Sequence, residues 1–229
     1  MNPEAVLIDA GGVLLDEKKY YSAVQRLIVK LIRSIDKNYD DSRYIHDLNE
    51  SINRFSPHNL RYVIWKNCSG NAELFKNLLA EFRNERGQTR QPLALMDGIT
   101  DELRSLAEDF SLVLAGQYGK SLMELLDQYD LSGLFVNRKT QDDFGITKPD
   151  PRYYGQILES AGFAGNQCIM IGDRIDKDVI PAKQCGMGTV FVRTGIFRNQ
   201  QPRTPDEQPD ITLESVHGMA RAVKEHKWN

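Results

Sequence analysis

The sequence predicts an α/β fold: a parallel sheet with helices on both faces, interrupted by a mainly α-helical subdomain. Three observations carry this. The chain opens on "AVLI", an apolar run without polar alternation, as a strand buried on both faces requires. After Pro92, short apolar runs alternate with amphipathic stretches, the pattern of βαβ units. Between them, from about Glu17 to Glu85, nothing reads as a strand.

Each element follows from its local pattern. Ala5 to Ile8 is the first strand and runs directly into Asp9. In the helical part, Val24, Leu27, Ile28 and Leu31 recur at helical spacing, as do Leu48, Ile52 and Phe55. "NAELFKNLLAEFRNE" is a further amphipathic helix, and the polar "ERGQTRQP" reads as the return linker. Beyond it, Thr100 to Glu108 predicts a helix, Ser111 to Gly116 a buried strand, Lys120 to Gln128 a helix and "LFVNR" a short strand. "DPRYYGQILESAG" opens with Asp150 as N-cap and Pro151 in the first turn, and stops on Gly162. "QCIMIGD" is a strand ending on an acid, "DVIPAKQCG" a short helix stopped by Gly186, and "GTVFVR" a strand. A loop, a last short strand "ITL" and a helix from Glu214 to His226 complete the chain. The predicted division is residues 1–16 and 91–229 for the α/β core and 17–90 for the helical subdomain.

Composition excludes several function classes. A net charge of -3 gives no field that would favour nucleic acid or an anionic membrane. No apolar run spans a bilayer, and the N-terminal run holds Asp9, unlike a signal peptide. Cys68, Cys168 and Cys185 are scattered and odd in number, so neither a disulfide framework nor a zinc site is indicated. His46, His58, His217 and His226 are isolated from one another in the sequence and read as surface or packing residues. The expectation is a cytoplasmic protein acting on a small molecule.

The acids carry the chemistry. "VLID" ends on Asp9 and "IMIGD" on Asp173, and Asp178 follows about one helical turn later. Ligands of open parallel sheets sit beyond the carboxyl ends of the strands. If the two strands are neighbours, these carboxylates crowd together and need a cation. An all-oxygen donor set suits Mg²⁺ when a phosphate shares it. Lys148, in "GITKPDP", stands before a helix where its charge can balance a phosphoryl group. Taken singly, each residue has a plainer reading: a turn or cap aspartate, a helix N-cap, a solvated lysine. Their order and their elements favour a site.

These residues resemble the haloacid dehalogenase superfamily of hydrolases. "VLIDAGGVL" resembles its first motif, and "LVLAGQ" lies where the second, a strand ending in Ser or Thr, belongs. "GITKPDPRYY" is close to its lysine motif and "MIGDRIDKDVIPAKQCGMGTVFV" to its acidic motif. The resemblance implies a Rossmann-like core and a helical cap that closes over the site. It implies that Asp9 attacks phosphorus to form an aspartyl-phosphate, and that Mg²⁺ is held by Asp9, Asp173 and the carbonyl of Gly11. Asp178 would orient the metal's waters or the lysine, and Lys148 would bridge to phosphate. The implied substrate is a small phosphorylated metabolite.

Two positions depart from the family pattern. Gly11 stands where most of its phosphatases carry a second Asp, the general acid and base, a role worth about 10²–10⁴-fold. Ala115 replaces the hydroxyl residue, leaving the backbone N–H groups of Gly116 and Gln117 for the phosphate. The expectations are slow breakdown of phospho-Asp9, poor turnover of alkyl phosphates, and acceleration by Gly11→Asp. Two other readings stay open: carbon–phosphorus cleavage through an imine on Lys18 or Lys19, and a lapsed domain that binds phosphorylated ligands. Tyr62 and Trp65 read as core of the helical subdomain.

Overall fold

The computed structural model describes residues 1–89, 92–116, 118–137 and 145–228. Gln117, Arg138 of the predicted "LFVNR" strand, and Arg90 and Gln91 of the linker lie outside the described residues. The chain divides into two compact units, Met1–Glu17 with Leu93–Asn229, and Lys18–Pro92.

The first unit begins with β1 (Ala5–Ile8). The second unit follows with α1 (Lys18–Arg33), α2 (Asp41–Asn53), α3 (Asn59–Lys66) and α4 (Ala72–Arg86). The chain then returns through α5 (Ile99–Leu106), β2 (Ser111–Leu114), α6 (Lys120–Gln128), β3 (Phe135–Asn137) and α7 (Pro151–Ala161). It ends with β4 (Cys168–Gly172), α8 (Ile180–Gln184), β5 (Gly188–Val192), β6 (Ile211–Leu213) and α9 (Met219–Glu225). The described strands form one sheet in the order β3-β2-β1-β4-β5-β6, every pair parallel.

Successive strand residues face opposite sides of a sheet, so a strand buried on both faces is apolar throughout. Here Val6, Ile8, Leu112, Leu114, Ile169 and Ile171 pack with Leu103, Leu106, Leu122, Leu126, Met219 and Val223. Ala5, Leu7, Val113, Cys168 and Met170 pack on the other face with Tyr153, Tyr154, Ile157 and Ala182. The two clusters place helices on both faces, as the sequence pattern predicts.

The α7 boundaries match their signals. The Asp150 carboxylate accepts a hydrogen bond from the Arg152 amide at 3.0 Å, and Gly162 ends the helix at φ 80°. Several boundaries differ. The strand predicted to reach Gly116 ends at Leu114, and the strand predicted to end on Asp173 ends at Gly172. The helix α4 extends through Arg86, one residue past the predicted helix and into the predicted linker. The last helix starts at Met219, not Glu214. Gly218 turns the chain at φ 79°, and the Glu102 carboxylate accepts from the amides of Gly218 and Ala220 at 2.6 and 2.7 Å. A carboxylate from a distant helix thereby supplies the cap and fixes the start.

The helical unit buries the predicted stripe: Val24, Leu27, Ile28 and Leu31 of α1, and Leu48 and Ile52 of α2. Trp65 departs from expectation, being 53% exposed. The buried face of α3 is Asn59, Val63 and Ile64, and Trp65 is the next residue round the helix, outside that face. Its ring sits 5.8 Å from that of Tyr62, which is partly buried and donates to Glu50.

Candidate active site

The chain steps outward from β1 to β2 and β3, then returns to place β4 on the other side of β1. The ends of β1 and β4 therefore meet where the strand order reverses, the place where open α/β sheets bind ligands. Ile8 pairs with Ile171, and the Asp9 amide donates to the Ile171 carbonyl at 2.9 Å. Asp9 thus emerges level with Gly172, and Asp173 follows one residue further.

The turn after Asp9 requires glycine. Gly12 has φ 72°, and a Cβ there would lie 2.3 Å from Asp173 Oδ2. Its carbonyl accepts from Thr194 Oγ1 at 2.5 Å, tying the turn to the end of β5. A Cβ on Gly172 would meet the Asp178 side chain at 2.4 Å. The acids come this close because the backbone carries no side chains between them.

Asp178 belongs to a π-helical turn, Ile175–Val179, that precedes α8. Its Oδ2 accepts the Arg174 amide at 3.0 Å, and its Oδ1 accepts Lys148 Nζ at 2.6 Å and the Tyr154 hydroxyl at 3.2 Å. Lys148 Nζ donates equally to Asp9 Oδ1, also at 2.6 Å. The lysine side chain is 2% exposed, so it is not the solvated surface lysine of the plainer reading. Next to this turn, Arg174 pairs with Asp176 and lies over the Phe197 ring, while Gln200 Oε1 accepts the Ile175 amide at 2.7 Å.

One oxygen from each of Asp9, Asp173 and Asp178 can be chosen so that all lie within 4.8 Å of one another. Burial disfavours the charges of Asp9 and Asp173. It pushes the Asp9 carboxyl up to about 6, Lys148 opposing the rise and Asp178 adding to it. Burial raises Asp173 well above the usual carboxylate range, with further repulsion from Asp9, Asp178 and Glu17. For Lys148 burial acts downward, but Asp178 and Asp9 outweigh it and hold the ammonium well above its ordinary value. Three carboxylates thus cluster beside one lysine that bonds two of them, Asp9 and Asp178, and all the acidic donors are oxygen. This set fits a hard divalent cation such as Mg²⁺.

Of the other predicted positions, Ala115 is fully buried, its amide bonded to the Ile8 carbonyl at 2.8 Å and its side chain in the apolar cluster of Tyr153. Gly116 lies against Ala10, where a Cβ would come within 2.2 Å of the Ala10 Cβ, and its carbonyl accepts from the Tyr153 hydroxyl at 3.2 Å. Sequence reasoning missed Glu17, which lies in the same unit as Asp9. Its carboxylate accepts from the Tyr118 hydroxyl at 2.5 Å. Burial raises its pKa, the Tyr118 hydrogen bond opposing and Asp9 and Asp16 reinforcing. It also missed Tyr154. A tyrosine in the helix after the lysine motif was visible, but its target, Asp178, was not.

Residues 145–219 match the HAD-hydrolase-like family. The glyceraldehyde 3-phosphate phosphatase of Methanopyrus kandleri is 20% identical over 228 residues, covering 97% of each chain. Among solved structures, a predicted phosphoglycolate phosphatase from Haemophilus somnus superposes with TM-score 0.68 at 16% identity, covering 97% of this chain and 99% of that one. A putative HAD hydrolase from Bacillus subtilis bound to magnesium gives 0.62 at 17% identity, covering 97% and 99%. The family match thus lies in the C-terminal part of the chain, and the likeness to the solved structures, which runs over its whole length, is one of fold.

Proposed function

We propose that this protein is a Mg²⁺-dependent phosphatase of small phosphorylated metabolites, acting through an aspartyl-phosphate on Asp9. The observation that carries the reading is the arrangement of Lys148 at 2.6 Å from Asp9, inside a cluster that includes Asp173 and Asp178. A carboxylate is a weak nucleophile, so it must be aligned with phosphorus while the phosphoryl charge is neutralised. Lys148 does the first by fixing Asp9 Oδ1 and contributes to the second through its charge. Asp178 and Tyr154 position that lysine. Asp9, Asp173 and the Gly11 carbonyl would hold the cation. When bound, it supplies charge neutralisation for the phosphoryl oxygens. The Gly116 backbone contributes N–H donation in place of the absent hydroxyl at Ala115.

A relative matched along its whole length, named for glyceraldehyde 3-phosphate, supports this substrate class. A screen should therefore begin with glyceraldehyde 3-phosphate and extend to other small phosphate monoesters. With Mg²⁺ present, Asp9→Asn is expected to lower phosphate release at least about 10³-fold while the circular dichroism spectrum is unchanged. Thermal stabilisation by Mg²⁺ in the wild type, absent in Asp173→Asn, is the second readout. Wild-type protein that binds Mg²⁺ and phosphate analogues but never labels Asp9 would show a lapsed binding domain instead.

A further inference from the structure

The residue two positions after Asp9 is Gly11, and the space beside it is filled. A Cβ built on Gly11 would lie 2.7 Å from Glu17 Oε2 and 3.3 Å from Glu17 Cδ. The carboxylate of Glu17 therefore occupies the volume that a side chain at position 11 would enter. The local chain path explains how it gets there. Ala10 O accepts from the amides of Leu14 and Leu15 at 3.0 and 2.8 Å, and Gly12 N donates to Leu15 O at 3.1 Å. This tight turn folds the chain back, and the Asp16 amide, bonded to Ala94 O at 2.9 Å, anchors the residue before Glu17. The Tyr118 hydroxyl then fixes Oε1, while Oε2 is the oxygen closest to the Gly11 position. Glu17 is partly exposed, so it can exchange a proton with solvent.

We propose that Glu17 is the general acid and base of this site, delivering from a position six residues later the carboxylate that Gly11 lacks. The proposal rests on the reading of Asp9 as nucleophile. In the first step an Asp9 oxygen forms a bond to phosphorus, the bond from phosphorus to the leaving oxygen breaks, and the Glu17 carboxyl gives its proton to that oxygen. In the second, the Glu17 carboxylate takes a proton from water as the water oxygen attacks phosphorus. The bond between phosphorus and Asp9 breaks, releasing phosphate and the free carboxylate. The slow phosphoenzyme breakdown expected from Gly11 alone is then a property of the Glu17 variant rather than of the wild type.

The test compares leaving groups. Glyceraldehyde 3-phosphate needs a proton on its departing oxygen, and 4-nitrophenyl phosphate does not. In Glu17→Gln, turnover of the first should fall about 10²–10⁴-fold. The nitrophenolate burst should keep its rate within about threefold, and phosphoenzyme trapped by acid quench should accumulate. Gly11→Asp should restore at least about tenfold of the loss in the Glu17→Gln background. Tyr118→Phe, which releases Oε1, should lower alkyl turnover about tenfold and spare the aryl burst, and it serves if Glu17→Gln fails to fold. Alkyl turnover within about threefold of wild type in both variants, with Asp9→Asn inactive, overturns the role of Glu17 alone. No label on Asp9 in any variant, with Asp9→Asn fully active, overturns the nucleophile reading and this proposal with it.

Discussion

Each unit of the molecule contains a lysine set between two carboxylates, and the two arrangements do opposite things. In the helical unit, Lys66 pairs with Asp47 at 2.6 Å and with Glu50, its side chain 31% exposed. The acids there are amply served: Tyr39 and Asn67 also donate to Asp47, and Tyr62 and Arg54 reach Glu50. Hydrogen bonds from Lys66 and Tyr62 lower the Glu50 pKa, and those to Asp47 and Glu50 raise that of Lys66. In the α/β unit, Lys148 is 2% exposed and bridges Asp9 and Asp178, with Asp173 clustered beside them, and burial disfavours the charges of Asp9 and Asp173. One cluster is balanced at the surface and serves as a clamp between α2 and α3. The other carries excess negative charge inside the protein, a state that a divalent cation or a proton would relieve.

The largest contrast should come from removing each lysine. Lys148→Met is expected to destabilise the metal-free protein by about 3–5 kcal/mol, because it strands buried carboxylates. It should also abolish phosphatase turnover, and the stability loss should shrink on adding Mg²⁺, as followed by urea unfolding. A smaller effect separates the clusters by pH. Asp9 titrates at about 6 in the fold, against about 3.9 in an unfolded chain. The native state therefore holds this proton more tightly, and the stabilisation is complete below about pH 4 and lost as pH rises through about 6. In EDTA, wild type relative to Asp9→Asn should lose on the order of 3 kcal/mol between pH 4 and 7. Glu50 has the opposite sign: its lowered pKa contributes stability above the ordinary carboxylate range that is lost as pH falls through its folded value. The smallest effect belongs to Lys66→Met, which should shift Tm by less than about 4 °C and leave turnover untouched, since partly exposed ion pairs contribute little. Equal responses to the two lysine substitutions would erase the distinction drawn between the clusters.

Legibility differed between the units for a physical reason. In the α/β unit, a doubly buried strand must be apolar along its length, so an acid at its end stands out, as at Asp9. The lysine and acidic motifs are short and contiguous, so Lys148, Asp173 and Asp178 could be named before their geometry was known. In the helical unit, periodicity located the stripe of α1 and α2 but not the fate of Trp65, whose exposure depends on where the neighbouring Ile64 packs. The start of α9 was illegible as well, because its cap comes from Glu102, 116 residues away from Gly218.

Periodicity and strand-terminal acids were enough to define a parallel α/β scaffold, its helical insertion and the acids that cluster at the sheet's end, because those signals arise from neighbours along the chain. Which charges meet was settled by folding. Lys148 joins Asp9 across 139 residues, and the turn at Gly11 and Gly12 carries Glu17 back over the backbone it follows. Local pattern encodes what a residue does to its own segment, whereas a site is made of atoms brought together by packing elsewhere.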